Sequence, residues 1–310
     1  MSGAVLVTGA SGFVGTALLP ELLATGRRVV ALTRRAGTPL PTGVEERAGD
    51  PIETLDDAGW RAALDGIDTV LHLAAIAHIG PGVSEDRYDA VNHRAVAAMA
   101  TAARASGLRR IVFLSSIRAQ CGAVSAREET ETAPEQPTDP YGRAKLAAEQ
   151  ALAGSGVAHV ILRPVLIVGD EPKGNLALLL RLARTGLPLP FGGLSARRSM
   201  VSRADVVAAL IQAIDDEQMT GRRFILADTE AMTLGEAVAA LRCGLGLPPR
   251  LFAVPEGVLA LPFRLIGRDD LWQRIGGALV ARPDGLAALG FTPRLRAAEA
   301  LRVLANRHGR

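Results

Sequence analysis

Residues 4–15 read Ala4-Val5-Leu6-Val7-Thr8-Gly9-Ala10-Ser11-Gly12-Phe13-Val14-Gly15, and this stretch decides the fold. Ala4–Val7 is a short apolar run of the kind that forms a strand buried on both faces. It runs into three glycines spaced Gly-x-x-Gly-x-x-Gly, followed by an apolar-periodic stretch from Thr16 to Ala24. The order is strand, glycine-rich turn, helix. Gly9 permits the tight turn, Gly12 lets backbone approach a pyrophosphate, and Gly15 allows helix and strand to pack closely. The first turn of the helix then offers free N–H groups and the positive end of its dipole to the anion.

Working outward, strand-like runs recur at Ala4–Val7, Arg28–Thr33, Val44–Ala48, Thr69–Ala74, Arg110–Ser115 and Ala158–Pro164. Helical periodicity falls at Gly12–Ala24, Asp57–Leu64, Asp86–Ala105 and Tyr141–Ala153. The alternation predicts an α/β fold, a Rossmann-like doubly wound parallel sheet with helices on both faces. Ligands of such sheets lie beyond the carboxyl ends of the strands, where Gly9, Thr33, Ala74, Ser115–Ser116 and Arg163–Pro164 fall. The Pro-, Glu- and Thr-rich segment Ala119–Pro140 is long for a connection and reads as an active-site flap. After residue 168 the pattern changes to a helix over Asn175–Thr185 and shorter mixed elements. The expected division is a dinucleotide-binding domain over 1–168, with some later segments returning to it, and a smaller α/β substrate lobe over 169–310 closing over the cleft.

The chain has two tyrosines and two lysines, and Tyr141 and Lys145 stand four residues apart. On a helix that spacing puts both on one face. An ammonium beside a phenol favours the phenolate, so the expectation is a Tyr141 pKa drawn from about 10 toward neutrality, suited to moving a proton at a carbinol or ketone oxygen. The bland alternative is an incidental pair on an exposed helix.

Composition narrows the field. The chain has 310 residues, 48% hydrophobic and 22% charged, enough for a large core. No apolar run reaches the roughly 18–20 residues of a membrane span. With a strand expected from residue 4, no signal peptide is expected, and Cys121 and Cys243 lack metal or redox spacing. A cytoplasmic setting and no membrane partner are expected. The histidines (72, 78, 93, 159 and 308) form no ligand pattern, so no metal is expected; His72 reads as a packed core histidine. Net charge is +3, but basic residues are scattered and aromatics are 4%, which argues against nucleic acid.

Together these residues resemble the extended short-chain dehydrogenase/reductases, the NAD-dependent epimerase/dehydratase family. The resemblance rests on Thr8–Gly15, His72-Leu73-Ala74-Ala75, Ser115-Ser116, Tyr141–Lys145 and Leu162-Arg163-Pro164 in order. The nearer resemblance is to bacterial nucleotide-sugar 4-reductases and 4-epimerases. It is carried by Phe113–Arg118, Lys173-Gly174-Asn175, Leu187–Gly192, Arg197–Val201 before Asp205, and Leu289–Pro293.

The resemblance implies Tyr141 as the catalytic acid/base and Lys145 as its tuner and a ribose ligand. Ser116 is implied as the hydroxyl holding the substrate oxygen, with Ser115 an alternative register because the spacing to Gly122 is one residue longer than usual. The family's sugar 4,6-dehydratases carry an acid pair after this hydroxyl; here Ile117 and Arg118 occupy those positions, so dehydration is not expected. Gly9, Ser11, Gly12, Phe13, Val14 and Gly15 are implied to hold the dinucleotide, Leu73, Ala74 and Ala75 to line its wall, and Ser115 and Pro164 to border it. Asp50 resembles the adenine-contacting acid, and Asn92 the asparagine that steadies the active-site backbone. On the substrate side Asn175, Arg198 and Arg274 match positions facing a nucleotide diphosphate, to which an arginine fork is suited. Arg163 stands where some sugar epimerases have an amide.

Coenzyme choice turns on the end of the second strand. A carboxylate there accepts from the NAD ribose 2′-hydroxyl. This chain has Thr33-Arg34-Arg35, and an arginine binds a 2′-phosphate that an acid repels. NADP is therefore expected, with NAD also usable. The leading expectation is an NADP(H)-dependent reductase of a nucleotide-activated 4-keto sugar. The alternatives are a 4-epimerase with tightly held NAD and a non-catalytic dinucleotide-sensing protein. A homodimer through helices of the sheet domain is the family expectation.

Overall fold

The computed structural model describes residues 3–77, 82–172, 174–265, 267, 272–273 and 276–309. Its strands β1 (Val5–Thr8), β2 (Val29–Thr33), β3 (Val44–Ala48), β4 (Thr69–His72), β5 (Arg110–Leu114) and β6 (His159–Pro164) join Arg223–Leu226 in a seven-stranded sheet. β1 pairs in parallel with β2 and β4, β2 with β3, β4 with β5, and β5 with β6. From β1 the chain builds outward through β2 and β3, then crosses to β4 on the other side of β1. The strand order thus reverses between β1 and β4, which opens a crevice at their carboxyl ends.

The helices flanking the sheet are α1 (Gly15–Ala24), α2 (Asp57–Leu64), α3 (Glu85–Asp89), α4 (Ala95–Ala105) and α5 (Pro140–Gly154). Leu6, Val30, Trp60, Val70, Met99 and Phe113 form part of one buried cluster between strands and helices. Each such side chain contributes about 1.5–3 kcal/mol on leaving water, which is why β1, β2, β4 and β5 all carry apolar residues at their centres.

The doubly wound architecture expected from the alternation is present, with local differences. α1 begins at Gly15 rather than Gly12, because Gly12 N–H first closes a turn onto the Gly9 carbonyl at 2.9 Å. The helix expected over Asp86–Ala105 is broken by a π-helical turn at Ala90–Arg94. That turn holds Asn92, whose amide accepts from Ile76 N–H at 2.8 Å and donates to the Ile76 carbonyl at 3.0 Å. Such turns frequently mark functional sites.

Two compact units emerge, one of residues 1–122, 134–164 and 206–224, the other of 123–133, 165–205 and 225–310. The second has its own core, in which helix Leu234–Gly244 packs on Ala297–His308 with Leu176, Leu180, Val238, Leu241 and Leu301 buried. Residues 123–133, part of the Ala119–Pro140 segment expected as a flap, are laced into this unit. Ser125 N–H donates to Ala278 at 2.8 Å, Glu129 N–H to Val280 at 2.8 Å, and Arg282 N–H to Glu129 at 2.9 Å. No described helix is long and apolar enough to cross a membrane.

Candidate active site

The first element is the turn between β1 and α1. Gly9 has φ of +69°, a conformation that glycine adopts without strain. A Cβ at Gly9 would lie 2.7 Å from the Ala74 nitrogen, and one at Gly15 would lie 2.5 Å from the Ala10 carbonyl oxygen. Bare backbone is therefore required where β1, β4 and α1 converge. Thr8 ties the two strand ends: its hydroxyl pairs with His72 Nδ1 at 3.1 Å and accepts from Ala74 N–H at 3.2 Å. His72 is fully buried, and burial pushes its pKa down to about 3, so the ring is a neutral core group. No side chain caps α1 at Val14, which leaves its first turn open to an anion. Ser11 and Gly12 are exposed, while Phe13, Leu73, Ala74 and Ala75 are half-buried. A close-packed glycine cradle beside an uncapped helix end fits the pyrophosphate of a dinucleotide.

The second element lies at the ends of β5 and β6 and the start of α5. Asp139 caps α5, accepting from Gly142 N–H at 2.9 Å, and Pro140 takes the first helical position. This places Tyr141 and Lys145 on the buried face. Ser116 favours the ionised form of the Tyr141 hydroxyl and accepts from Arg118 N–H at 3.2 Å. Arg118 Nε donates to Asp139 at 3.0 Å, clamping the start of the helix. Lys145 Nζ donates to the Leu114 carbonyl at 2.9 Å and sits 4.5 Å from the Phe113 ring centroid.

The electrostatics reverse one expectation. The Tyr141 pKa was expected to fall toward neutrality beside an ammonium; instead burial pushes it up to about 12, only partly offset by the Ser116 hydrogen bond and the Arg118 charge. Lys145 is pushed down to about 7 by burial, against the pull of Glu149. Desolvation penalises the charged form of both groups and is the largest cause of each shift, and the amine is engaged with Leu114 rather than with the phenol.

Ser115 belongs to a different set of contacts. Its hydroxyl donates to Glu149, a buried carboxylate that also pairs with Arg163, whose Nε lies 3.0 Å from Glu149 Oε1. Arg163 Nη1 donates to Gln120 at 2.8 Å and Nη2 to Glu135 at 2.5 Å. A buried arginine with these partners is a structural tie between β6, α5 and the residues after β5. Sequence reading missed Glu149, although it follows Lys145 by four residues on the same helix face. It also missed Asp139, whose position before Pro140 is a recognisable cap signal.

Elsewhere, Thr33 is buried at the end of β2, Arg34, Arg35 and Asp50 are exposed, and Pro164 is buried at the end of β6. In the second unit Asn175 is exposed at the start of helix Gly174–Arg184. Arg198 is half-buried and donates to the carbonyls of Gly277 at 2.5 Å and Ala123 at 2.9 Å. Arg274, expected on the substrate side, and Lys173 and His78 lie outside the described residues. Among the described residues no His, Cys, Asp and Glu cluster has the makings of a metal site.

Comparison with known proteins adds independent findings. The sequence profile of the NAD dependent epimerase/dehydratase family matches residues 5–227. Over 291 residues the chain is 30% identical to a UDP-glucose 4-epimerase of Vibrio cholerae, covering 90% of this chain and 87% of that protein. It is 31% identical over 270 residues to sterol demethylase protein B of Methylococcus capsulatus, covering 79% and 78%. Among solved structures it is similar to MoeE5 in complex with UDP-glucose and NAD, with a TM-score of 0.75 at 28% identity over 98% of this chain and 97% of that chain.

Proposed function

Because this chain belongs to the NAD dependent epimerase/dehydratase family, enzymes of the extended short-chain dehydrogenase/reductase type, we propose that it inverts the configuration of a carbinol, C4, in a nucleotide-linked sugar. The observation that carries the reading is the burial of Ser116, Tyr141 and Lys145 together at the carboxyl end of the sheet, with Tyr141 and Lys145 one helical turn apart on α5. The 4-epimerase among the relatives and the bound UDP-glucose of MoeE5 support the substrate class. They also favour epimerisation over the reductase that the arginine pair after β2 suggests.

In this reading Gly9, Gly12 and Gly15 hold the pyrophosphate of a nicotinamide dinucleotide, Leu73–Ala75 its wall, Lys145 its ribose, and Thr33–Arg35 with Asp50 its adenosine end. When bound, the dinucleotide supplies reversible hydride acceptance at the sugar carbon. Tyr141 takes the proton from the sugar hydroxyl on oxidation and returns it when the carbonyl is reduced. Ser116 donates to the same oxygen and fixes its position. A phenol at about 12 holds its proton firmly, which suits the reducing half; the oxidising half needs the phenolate, which the Ser116 hydroxyl and the Arg118 charge favour. Asn175 and Arg198 bind the nucleotide diphosphate, Arg198 exchanging a carbonyl partner for a phosphate.

The reductase remains a second reading on one observation, the arginine pair that follows β2 in place of a carboxylate. Incubating the purified protein with UDP-glucose and other UDP-hexoses distinguishes the two. Epimer formed without net coenzyme consumption, and absorbance of retained reduced nicotinamide in the purified protein, support the epimerase. Stoichiometric NADPH oxidation by a 4-keto nucleotide sugar, with no epimer from UDP-hexoses, replaces it with the reductase.

A further inference from the structure

The turn that leaves β2 is built around one carboxylate from the neighbouring strand. Glu46, on β3, accepts from Gly37 N–H at 2.8 Å, from Thr38 N–H at 3.0 Å and from the Thr33 hydroxyl at 2.9 Å. Two further bonds complete the turn, from the Thr33 and Thr38 hydroxyls to the Arg35 carbonyl at 3.1 and 2.9 Å. Gly37 has φ of +78°, so consecutive N–H groups converge into a small anion-binding nest. Glu46 fills that nest. The Gly37 N–H first, then the Thr33 hydroxyl and the Thr38 N–H, hold its carboxyl below the usual range.

The partners Glu46 does not have matter as much. Arg34 and Arg35 lie within the same turn, are exposed, and have no side-chain partner among the described residues. Glu45, the adjacent acid, behaves differently and pairs with Arg28 at 2.7 Å and Arg47 at 3.5 Å. Glu46 is satisfied by neutral donors, so it shapes the turn without neutralising its arginines. Both of its oxygens are already engaged, Oε1 by the Thr33 hydroxyl and Thr38 N–H and Oε2 by Gly37 N–H, so it is less available to a ribose hydroxyl than an unpaired carboxylate would be.

We propose that Glu46 is a specificity-determining positioning residue: by occupying the β2–β3 nest it holds the turn in the shape that keeps Arg34 and Arg35 available to a phosphate monoester at the coenzyme's adenosine 2′-position. The proposal rests on the observation behind the second functional reading, the arginine pair after β2, taken to favour the 2′-phosphorylated dinucleotide whichever reaction follows. It assigns the preference to an acid that itself never touches the phosphate.

The test titrates NADPH and NADH into the full chain and its variants, with circular dichroism and thermal unfolding to confirm folding. In Glu46→Gln the amide sets a donor against the N–H groups of the nest, and NADPH affinity is expected to fall about 5- to 10-fold while NADH affinity changes less than about twofold. Glu46→Asp keeps the charge but withdraws it by one methylene, and should fall between. In a chain already carrying Arg34→Ala and Arg35→Ala, Glu46→Gln should cost NADPH binding nothing further, because the two act as one unit. Equal losses for both coenzymes, no loss, or a full additional loss in the arginine-free background would overturn the proposal. Unmodified protein that binds both coenzymes alike removes the arginine reading and the anchor together; discrimination that survives Glu46→Gln removes the anchor alone.

Discussion

Replacing Lys145 by methionine should make this protein more stable and less active. Burial takes the Lys145 amine from its ordinary value near 10.5 down to about 7. Folding near pH 8 therefore strips a proton from a side chain that would carry it in the unfolded chain, at a cost of about 3 kcal/mol. Methionine is similar in length, apolar and adaptable, and avoids that cost. It also gives up the hydrogen bond to the Leu114 carbonyl, worth about 1 kcal/mol. The balance is a gain of about 2 kcal/mol for Lys145→Met at about pH 8, a few degrees in Tm.

The gain depends on pH in a defined direction. Between about 7 and 10.5 the unfolded chain binds more protons at this site than the folded one, so the unmodified protein gains stability as pH rises through that window. Lys145→Met lacks this term, and by about pH 10 the two proteins should unfold at nearly the same urea concentration. The assay is urea unfolding of coenzyme-stripped protein at several pH values, beside turnover with UDP-glucose. A variant less stable than the parent near pH 8, or a difference that does not shrink toward pH 10, would show that Lys145 is not a buried amine with a depressed pKa.

Tyr141→Phe removes the buried hydroxyl whose ionised form Ser116 favours and should cut turnover about 10²- to 10⁴-fold with coenzyme binding retained; undiminished turnover excludes Tyr141 from the chemistry. Glu149→Gln leaves the buried Arg163 without its main counter-charge and should cost about 3–5 kcal/mol in urea unfolding, whereas Glu149→Leu combined with Arg163→Met should recover most of that loss; a near-neutral single variant would mean that Glu135 and Gln120 suffice for Arg163. Gly142→Ala drives a methyl into the Arg118 carbonyl and should push the start of α5 away from Ser116, with kcat falling more than stability does; wild-type kcat would show that the helix start tolerates the shift.

The glycine spacing after β1, the alternation of apolar runs with helical periodicity, and the four-residue step from Tyr141 to Lys145 are local patterns, and local patterns are what a sequence displays. From them the doubly wound sheet, the crevice beyond β1 and β4, and the pairing of phenol and amine on one helix face all follow. The ionisation of that pair does not, because it depends on how much water the fold removes and on which remote groups it brings near. Tyr141 is held by Ser116 and Arg118 from the segment after β5, and Lys145 by Leu114 at the end of β5. The same holds for Arg163, which stands where some sugar epimerases have an amide and which the tertiary structure ties to Glu149, Gln120 and Glu135. It holds again for Glu46, which no motif marks and which acquires meaning only because strand pairing sets β3 beside β2. Chain-local geometry and apolar periodicity thus determined the scaffold and where its chemistry sits; desolvation and through-space partners, which only the folded chain assembles, decided the charge each group carries there.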